Sequence, residues 1–141
     1  MQHNLKKSEQ KEPLDIATAC NITGLGYPTF YKYFRQERLP HERFGRTILF
    51  TNNDIVNFMK RHKKGNWKHV NNEFDLLLDV KCDLKELSRQ SGLKYSTLTA
   101  KIHQVDLPRF QYGTKIVIPQ SEFTRYRKTQ QTSEWKRYER L

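Results

Sequence analysis

The sequence predicts a mainly helical α+β fold with short β-hairpins, built as two tandem modules related by an internal repeat. Two observations predict it. Residues 23–50, TGLGYPTFYKYFRQERLPHERFGRTILF, reappear at a constant offset of 68 residues as 91–118, SGLKYSTLTAKIHQVDLPRFQYGTKIVI, with no gap. Over 14–60 against 82–128 there are 11 identities in 47 pairs, and they fall on turn residues and apolar anchors, the positions that fix a backbone. Within each copy, apolar residues recur at helical spacing as far as a Leu-Pro pair. They then continue on either side of a glycine, which reads as a hairpin.

Each element has its own local reason. Residues 1–13 are polar and charged and read as a disordered arm, with 14–64 as the first module. Asp15 is placed to cap a short helix over 16–21 with Ile16 and Ala19 inward. Gly24 supplies the turn, where a positive φ is needed. Pro28 suits the first turn of the next helix, where its missing N–H costs little. That helix runs to about Gln36, with Phe30 and Phe34 facing inward. Leu39-Pro40 ends it, because the residue before proline is pushed out of helical φ/ψ. Strands follow at 42–44 and 47–50 around Gly45-Arg46. A third helix over 54–61, capped by Asn52 or Asn53, carries Ile55, Phe58 and Met59 as an apolar stripe.

Residues 65–81 read as a linker or packing segment, whose apolar run from Phe74 to Val80 fits a buried strand or a short segment between the copies. The second module, 82–128, repeats the plan. Asp83 and Glu86 fit a capping box with Leu84 and Leu87 inward. A second helix runs from Ser96 to Gln104 with Leu98 and Ile102 inward, strands lie at 109–112 and 115–118, and a last helix near 119–120 carries Phe123 and Tyr126. Residues 129–141 form a basic tail or extend that helix.

Twenty-six Lys and Arg against fifteen Asp and Glu leave a formal charge of +11 and a pI near 9.8. A chain this basic meets a polyanion. No apolar run approaches a membrane span and the N-terminus carries no apolar signal core, so the expectation is a cytoplasmic protein without a membrane partner. Cys20 and Cys82 read as small buried hydrophobes, in keeping with a reducing compartment. The five histidines are scattered without metal-ligand spacing, and there is no P-loop, nucleophile elbow or paired-carboxylate signature. The expectation is no enzyme, no metal and no cofactor. Asp15, Asp54, Asp83 and Glu122 are accounted for as helix caps or first-turn residues.

Helix, glycine turn, helix and hairpin make a helix-turn-helix with a wing. The order Gly24-Leu25, Thr29-Phe30, Leu39-Pro40, Gly45, Ile48, Asp54-Ile55 resembles the DNA-binding domain of MerR-type regulators and phage excisionases. In the second copy Gly92-Leu93, Thr97-Leu98, Leu107-Pro108, Gly113, Ile116 and Glu122-Phe123 match the same pattern. The resemblance covers about two thirds of the chain. A tandem pair in a short basic chain is also similar to the TraN-type DNA-binding accessory proteins of Gram-positive conjugative plasmid transfer systems. The chain departs from MerR-type regulators in having no long dimerisation helix after either copy and no metal-sensing cluster.

The resemblance implies two tandem winged helix-turn-helix modules whose second helices enter the major groove. The outward faces of these helices agree with that role: Pro28, Tyr31, Lys32 and Arg35 in the first, Ser96, Thr99 and His103 in the second. Lys and Arg bond guanine edges, and Ser and Thr hydroxyls adapt to several bases. Wing residues Arg43, Arg46, Arg109 and Lys115, with Arg89 and Lys94 at the second turn, are placed for phosphate or minor groove. Tyr27 and Tyr95 either reach phosphates or cover the small core, while Tyr33 and Phe44 read as core. The expected function is sequence-specific binding of double-stranded DNA by a monomer with internal pseudo-two-fold symmetry. Two unlike half-sites would lie roughly 34 Å apart, in an accessory or regulatory role in conjugative transfer. The alternatives are an excisionase-like or promoter-repressor protein, or one copy on DNA and the other on a relaxase or other transfer or recombination protein. Single-strand or RNA binding would need exposed aromatics on a sheet or groove.

Overall fold

The computed structural model describes residues 12–131 as a mixed α/β fold with seven helices and two small antiparallel sheets. Helix α1 (Ile16–Thr23) starts at Asp15, whose carboxylate accepts from the Thr18 N–H at 2.8 Å, and stops at Gly24 with φ 79°. Helix α2 (Tyr27–Gln36) follows two residues later, with Pro28 in its first turn. Strands β1 (Glu42–Phe44) and β2 (Thr47–Leu49) form a separate hairpin, and α3 (Asn52–Arg61) closes the first half.

The connecting stretch is β3 (Lys63–Lys64), α4 (Glu73–Leu78) and β4 (Lys81–Asp83). Then the earlier order returns: α5 (Leu84–Ser91), Gly92 with φ 76°, α6 (Tyr95–Val105), β5 (Arg109–Tyr112), β6 (Lys115–Pro119) and α7 (Gln120–Gln131). Even the small irregularities sit 68 residues apart. Arg38 (φ 51°) and Asp106 (φ 56°) both take left-handed backbone, and the Leu14–Phe50 bridge matches the Cys82–Ile118 pair of the β4–β6 ladder.

The two hairpins have different fates. Among the described residues β1–β2 is a two-stranded sheet with only the Leu14–Phe50 bridge beside it, whereas β5–β6 sits in the middle of a four-stranded sheet ordered β3-β5-β6-β4. Residues directly opposite in an antiparallel pair share a face. Phe110 and Val117 are such a pair, and with Tyr112 they point away from their own module. All three are buried in the first half's hydrophobic cluster, with Ala19, Ile22, Phe58 and Met59. Leu77 and Leu78 of α4 join the same cluster. Ile116 and Ile118 on the opposite face pack with Leu84, Leu87, Leu98, Ile102 and Phe123. One hairpin is thus common to both cores.

Polar groups bind the same junction. The Tyr112 hydroxyl donates to the Thr23 carbonyl at 3.0 Å, and the ring lies 4.8 Å from His62 and 5.9 Å from Phe58. Glu37 holds Arg61 and His62, each at 2.7 Å. Lys81 is wholly enclosed. Its Nζ donates to the carbonyls of Leu77 at 2.8 Å, Ile22 at 3.0 Å and Asp79, over the face of Phe110. Burial pushes this ammonium down to about 7 from 10.5, because a charge in an apolar setting loses its hydration.

Three local expectations change. The cap of α3 is Thr51, which forms a full capping box with Asp54, and not Asn52 or Asn53. Threonine in extended backbone one residue earlier reaches the Asp54 N–H, so the helix gains two residues at its start. The full box at Asp83 is not formed. Asp83 caps α5, but Glu86 turns along the helix to Arg89 and Gln90. Of the two readings of the apolar run 74–80, the buried strand gives way to a short packed helix, Glu73–Leu78, which Asn72 caps at Asp75 and whose Leu77 and Leu78 are buried in the shared cluster. The arm and the tail fall, beyond 12–131, outside the described residues.

Candidate nucleic-acid interface

Helix α2 turns Phe30 and Phe34 into the core, which sends positions 28, 31, 32 and 35 outward. Pro28, Lys32 and Arg35 are exposed and Tyr31 is half-buried. Tyr27, Tyr31 and Arg35 stack along this face at four-residue spacing. The two rings are 5.0 Å apart and the Arg35 guanidinium lies 5.7 Å over Tyr31. The ring contact fixes the direction of the guanidinium. Lys32 stands beside this column.

Helix α6 buries Leu98 and Ile102 and turns Tyr95, Ser96 and His103 outward, with Thr99 half-buried. The Thr99 hydroxyl donates back to the Tyr95 carbonyl at 2.9 Å, leaving it an acceptor on the surface. Tyr27 (55% exposed) and Tyr95 (59%) both stand in solvent at the start of their helices and do not cover the core.

These two helices share a second property. Side chains cap α1, α3, α4 and α5, but α2 begins at Gly26 and α6 at Lys94 with no side-chain cap bond. The first-turn N–H groups of these two helices, of which Pro28 has none, thus lack a side-chain cap at the positive end of a helix dipole, where a phosphate oxygen binds well. Lys94 is exposed at one of these ends.

The remaining cations divide. Arg43 and Arg46 on the free hairpin are exposed. Arg43 is opposite Ile48, which is buried, so it projects on the side of the hairpin that faces its own module. Arg109 is 11% exposed at its side chain and donates to Asp106 at 2.9 Å and the Leu107 carbonyl at 3.1 Å. Lys115 is 3.9 Å from Asp83. Arg89 pairs with Glu86, with Nε to Oε1 at 3.0 Å, and this partner and Gln90 hold the Glu86 carboxyl down at about 2. Pro28, Tyr31, Lys32 and Arg35 are thus gathered on one helix face, as are Ser96, Thr99 and His103 on the other. Arg109, Lys115 and Arg89 have partners within the fold.

Two residues depart from their sequence reading. Phe44, expected in the core, is 65% exposed, because its opposite number is Thr47 and it points away from Ile48. Lys81, passed over as part of a linker, is the buried tie between the halves. Its signal was a lone cation closing an apolar run. Both cysteines are free and half-buried, and burial raises each thiol. Among the described residues no group of three or more His, Cys, Asp or Glu is placed to hold a metal ion, and no helix is long and apolar enough to cross a membrane. No family model matches the chain, and neither a curated protein nor a solved structure is significantly similar to it.

Proposed function

We propose that the chain is a sequence-specific double-stranded DNA-binding protein made of two winged helix-turn-helix modules. In this reading α2 and α6 lie in successive major grooves. The observation that carries it is the exposed face of α2, where Lys32 and the stacked Tyr27–Tyr31–Arg35 column flank a helix start open to a phosphate. The matching helix start of α6 and the +11 charge support it.

The modules have unequal parts. Among the described residues hairpin β1–β2 has no strand on the outer edge of β1 and would act as a wing through Arg46 at its turn, with Arg43 exposed on the side towards its own module, whereas β5–β6 is built into the junction. The first module would read DNA with helix and wing, the second with its helix alone. Charge supplies affinity and the two unlike faces supply specificity. By the resemblance drawn from the sequence, the role is accessory or regulatory in conjugative transfer.

A footprint on DNA flanking the protein's own gene tests this. Protection over two to three helical turns with two unlike halves is expected. The engaged cations of the second module favour a second reading, in which only the first copy binds DNA and the other docks a relaxase or recombinase. A footprint of a single turn would select that reading. Diffuse binding without a footprint would overturn both.

A further inference from the structure

We propose that residues 131–136 of one molecule pair with the outer edge of β1 in a second molecule and lay Trp135 across its outer face.

The template is inside the chain. After α3, strand β3 pairs with the outer edge of β5, Lys63 opposite Phe110 and Lys64 opposite Arg109. Trp67 then packs edge-on against Phe110 at 5.5 Å, and its indole N–H donates to the Lys64 carbonyl at 2.8 Å. The face so covered carries Phe110, Tyr112 and Val117. Subtracting 68 gives Glu42, Phe44 and Leu49 on the first hairpin. Among the described residues the outer edge of β1 has no ladder partner, and Phe44 is 65% exposed where Tyr112 is 4%.

The repeat also continues past α7. Trp67-Lys68 recurs at the same offset as Trp135-Lys136, and positions 131–132 fall where β3 lies. Strand β3 follows one module and pairs with the hairpin of the next. Among the described residues the hairpin edge left without a partner is that of β1, so we place the end of the second module against the first hairpin of another copy. Glu42 replaces Phe110 there, and Lys136 with Arg137 supplies opposite charge beside Trp135. Helix α7 runs two residues further than α3, so its last residues leave the helix on docking.

Such a contact is head-to-tail and does not close on itself, so it propagates as an open row. It should be weak in free solution. At the positions of Met59 and Thr23, which meet Tyr112, the second module has Arg127 and Ser91. Holding two copies side by side strengthens a weak contact through effective concentration. The inference stands apart from the DNA reading, since the pairing is protein on protein.

The test places the photo-crosslinker p-benzoylphenylalanine at position 44 of the full chain, in an equal mixture of ¹⁴N and ¹⁵N protein without DNA, over a rising concentration series. Adducts joining position 44 to the peptide containing 131–136 are expected, about half of them of mixed isotope, and growing with concentration. Trp135→Ala should reduce their yield at least tenfold. Adducts of single isotope only would mean the segment folds back on its own chain. That result, adducts elsewhere, no adducts, or a yield indifferent to Trp135→Ala overturns the proposal.

Discussion

Replacing Lys81 by methionine should change the pH dependence of stability in a defined direction. The ammonium is enclosed and donates to the Ile22, Leu77 and Asp79 carbonyls, and it titrates at about 7 against 10.5 for a free lysine. The folded value is the lower one, so between about 7 and 10.5 the unfolded chain binds more protons. Stability from this group therefore rises with pH across that window, and is lowest below it. The full displacement is worth about 5 kcal/mol at ~1.4 kcal/mol per unit. Between pH 7 and 9 the group alone should add about 2 kcal/mol to the unfolding free energy, by the same linkage. Lys81→Met keeps the chain length of the stem and has no proton to lose. Other titrating groups, among them the raised thiols of Cys20 and Cys82, are common to both proteins and cancel in the difference. Urea unfolding of both proteins at pH 7, 8 and 9 is the assay. The stability difference between the parent and Lys81→Met should move by about 2 kcal/mol in favour of the parent as pH rises. A difference that stays constant over that range would refute the idea that a desolvated cation ties the two halves.

Other perturbations follow from the same geometry. Gly24→Ala and Gly92→Ala both place a side chain in left-handed backbone, at φ 79° and φ 76°, which costs about 1–2 kcal/mol. Only at Gly24 would the new Cβ also lie 2.9 Å from Lys81 Cβ and Val117 Cγ1. Gly24→Ala should therefore be worse by a further ~1–3 kcal/mol in chemical denaturation, and equal losses would contradict the packing of the halves. For DNA, the logarithm of affinity should fall against the logarithm of salt with a slope of about −0.9 per phosphate contact. Lys32→Ala and Arg35→Ala together should weaken the footprinted site more than random duplex. A salt-insensitive complex would overturn the DNA-binding reading, and equal losses on both duplexes would remove α2 from base recognition.

Most element boundaries were legible because the chain marks them with local chemistry. The glycines ending α1 and α5 take left-handed backbone, and the Leu-Pro pairs close α2 and α6. Such signals act within a few residues and survive whatever the tertiary context is. The segment from 74 to 80 was ambiguous for a physical reason. It is apolar on nearly every side, so periodicity cannot separate helix from strand, and only the Asn72 cap decides it. The reading of the second hairpin as a DNA-facing wing failed to see the junction, because that depends on contacts far apart in sequence. A trace was present. The outer face of β5–β6 is Phe110, Tyr112 and Val117, all apolar, where the first hairpin has Glu42. A hairpin apolar on both faces is one that needs two neighbours. The helix faces were read correctly as surfaces from their spacing alone, but which arginines remained unpaired on that surface was not. Arg89 and Arg109 lie three residues from Glu86 and Asp106, a separation at which helical or turn geometry readily brings charges together.

The hairpin common to both cores also sets an order in time. A chain leaves the ribosome from its N-terminus, and domains ordinarily fold as they emerge. Here the cluster around Phe58 and Met59 lacks Phe110, Tyr112 and Val117 until those residues have been made. The hydroxyl of Tyr112 meets a carbonyl 89 positions earlier. While β5 and β6 are still in the exit tunnel, the first half must hold an open apolar face. The half that is synthesised first is therefore completed only when most of the second has appeared.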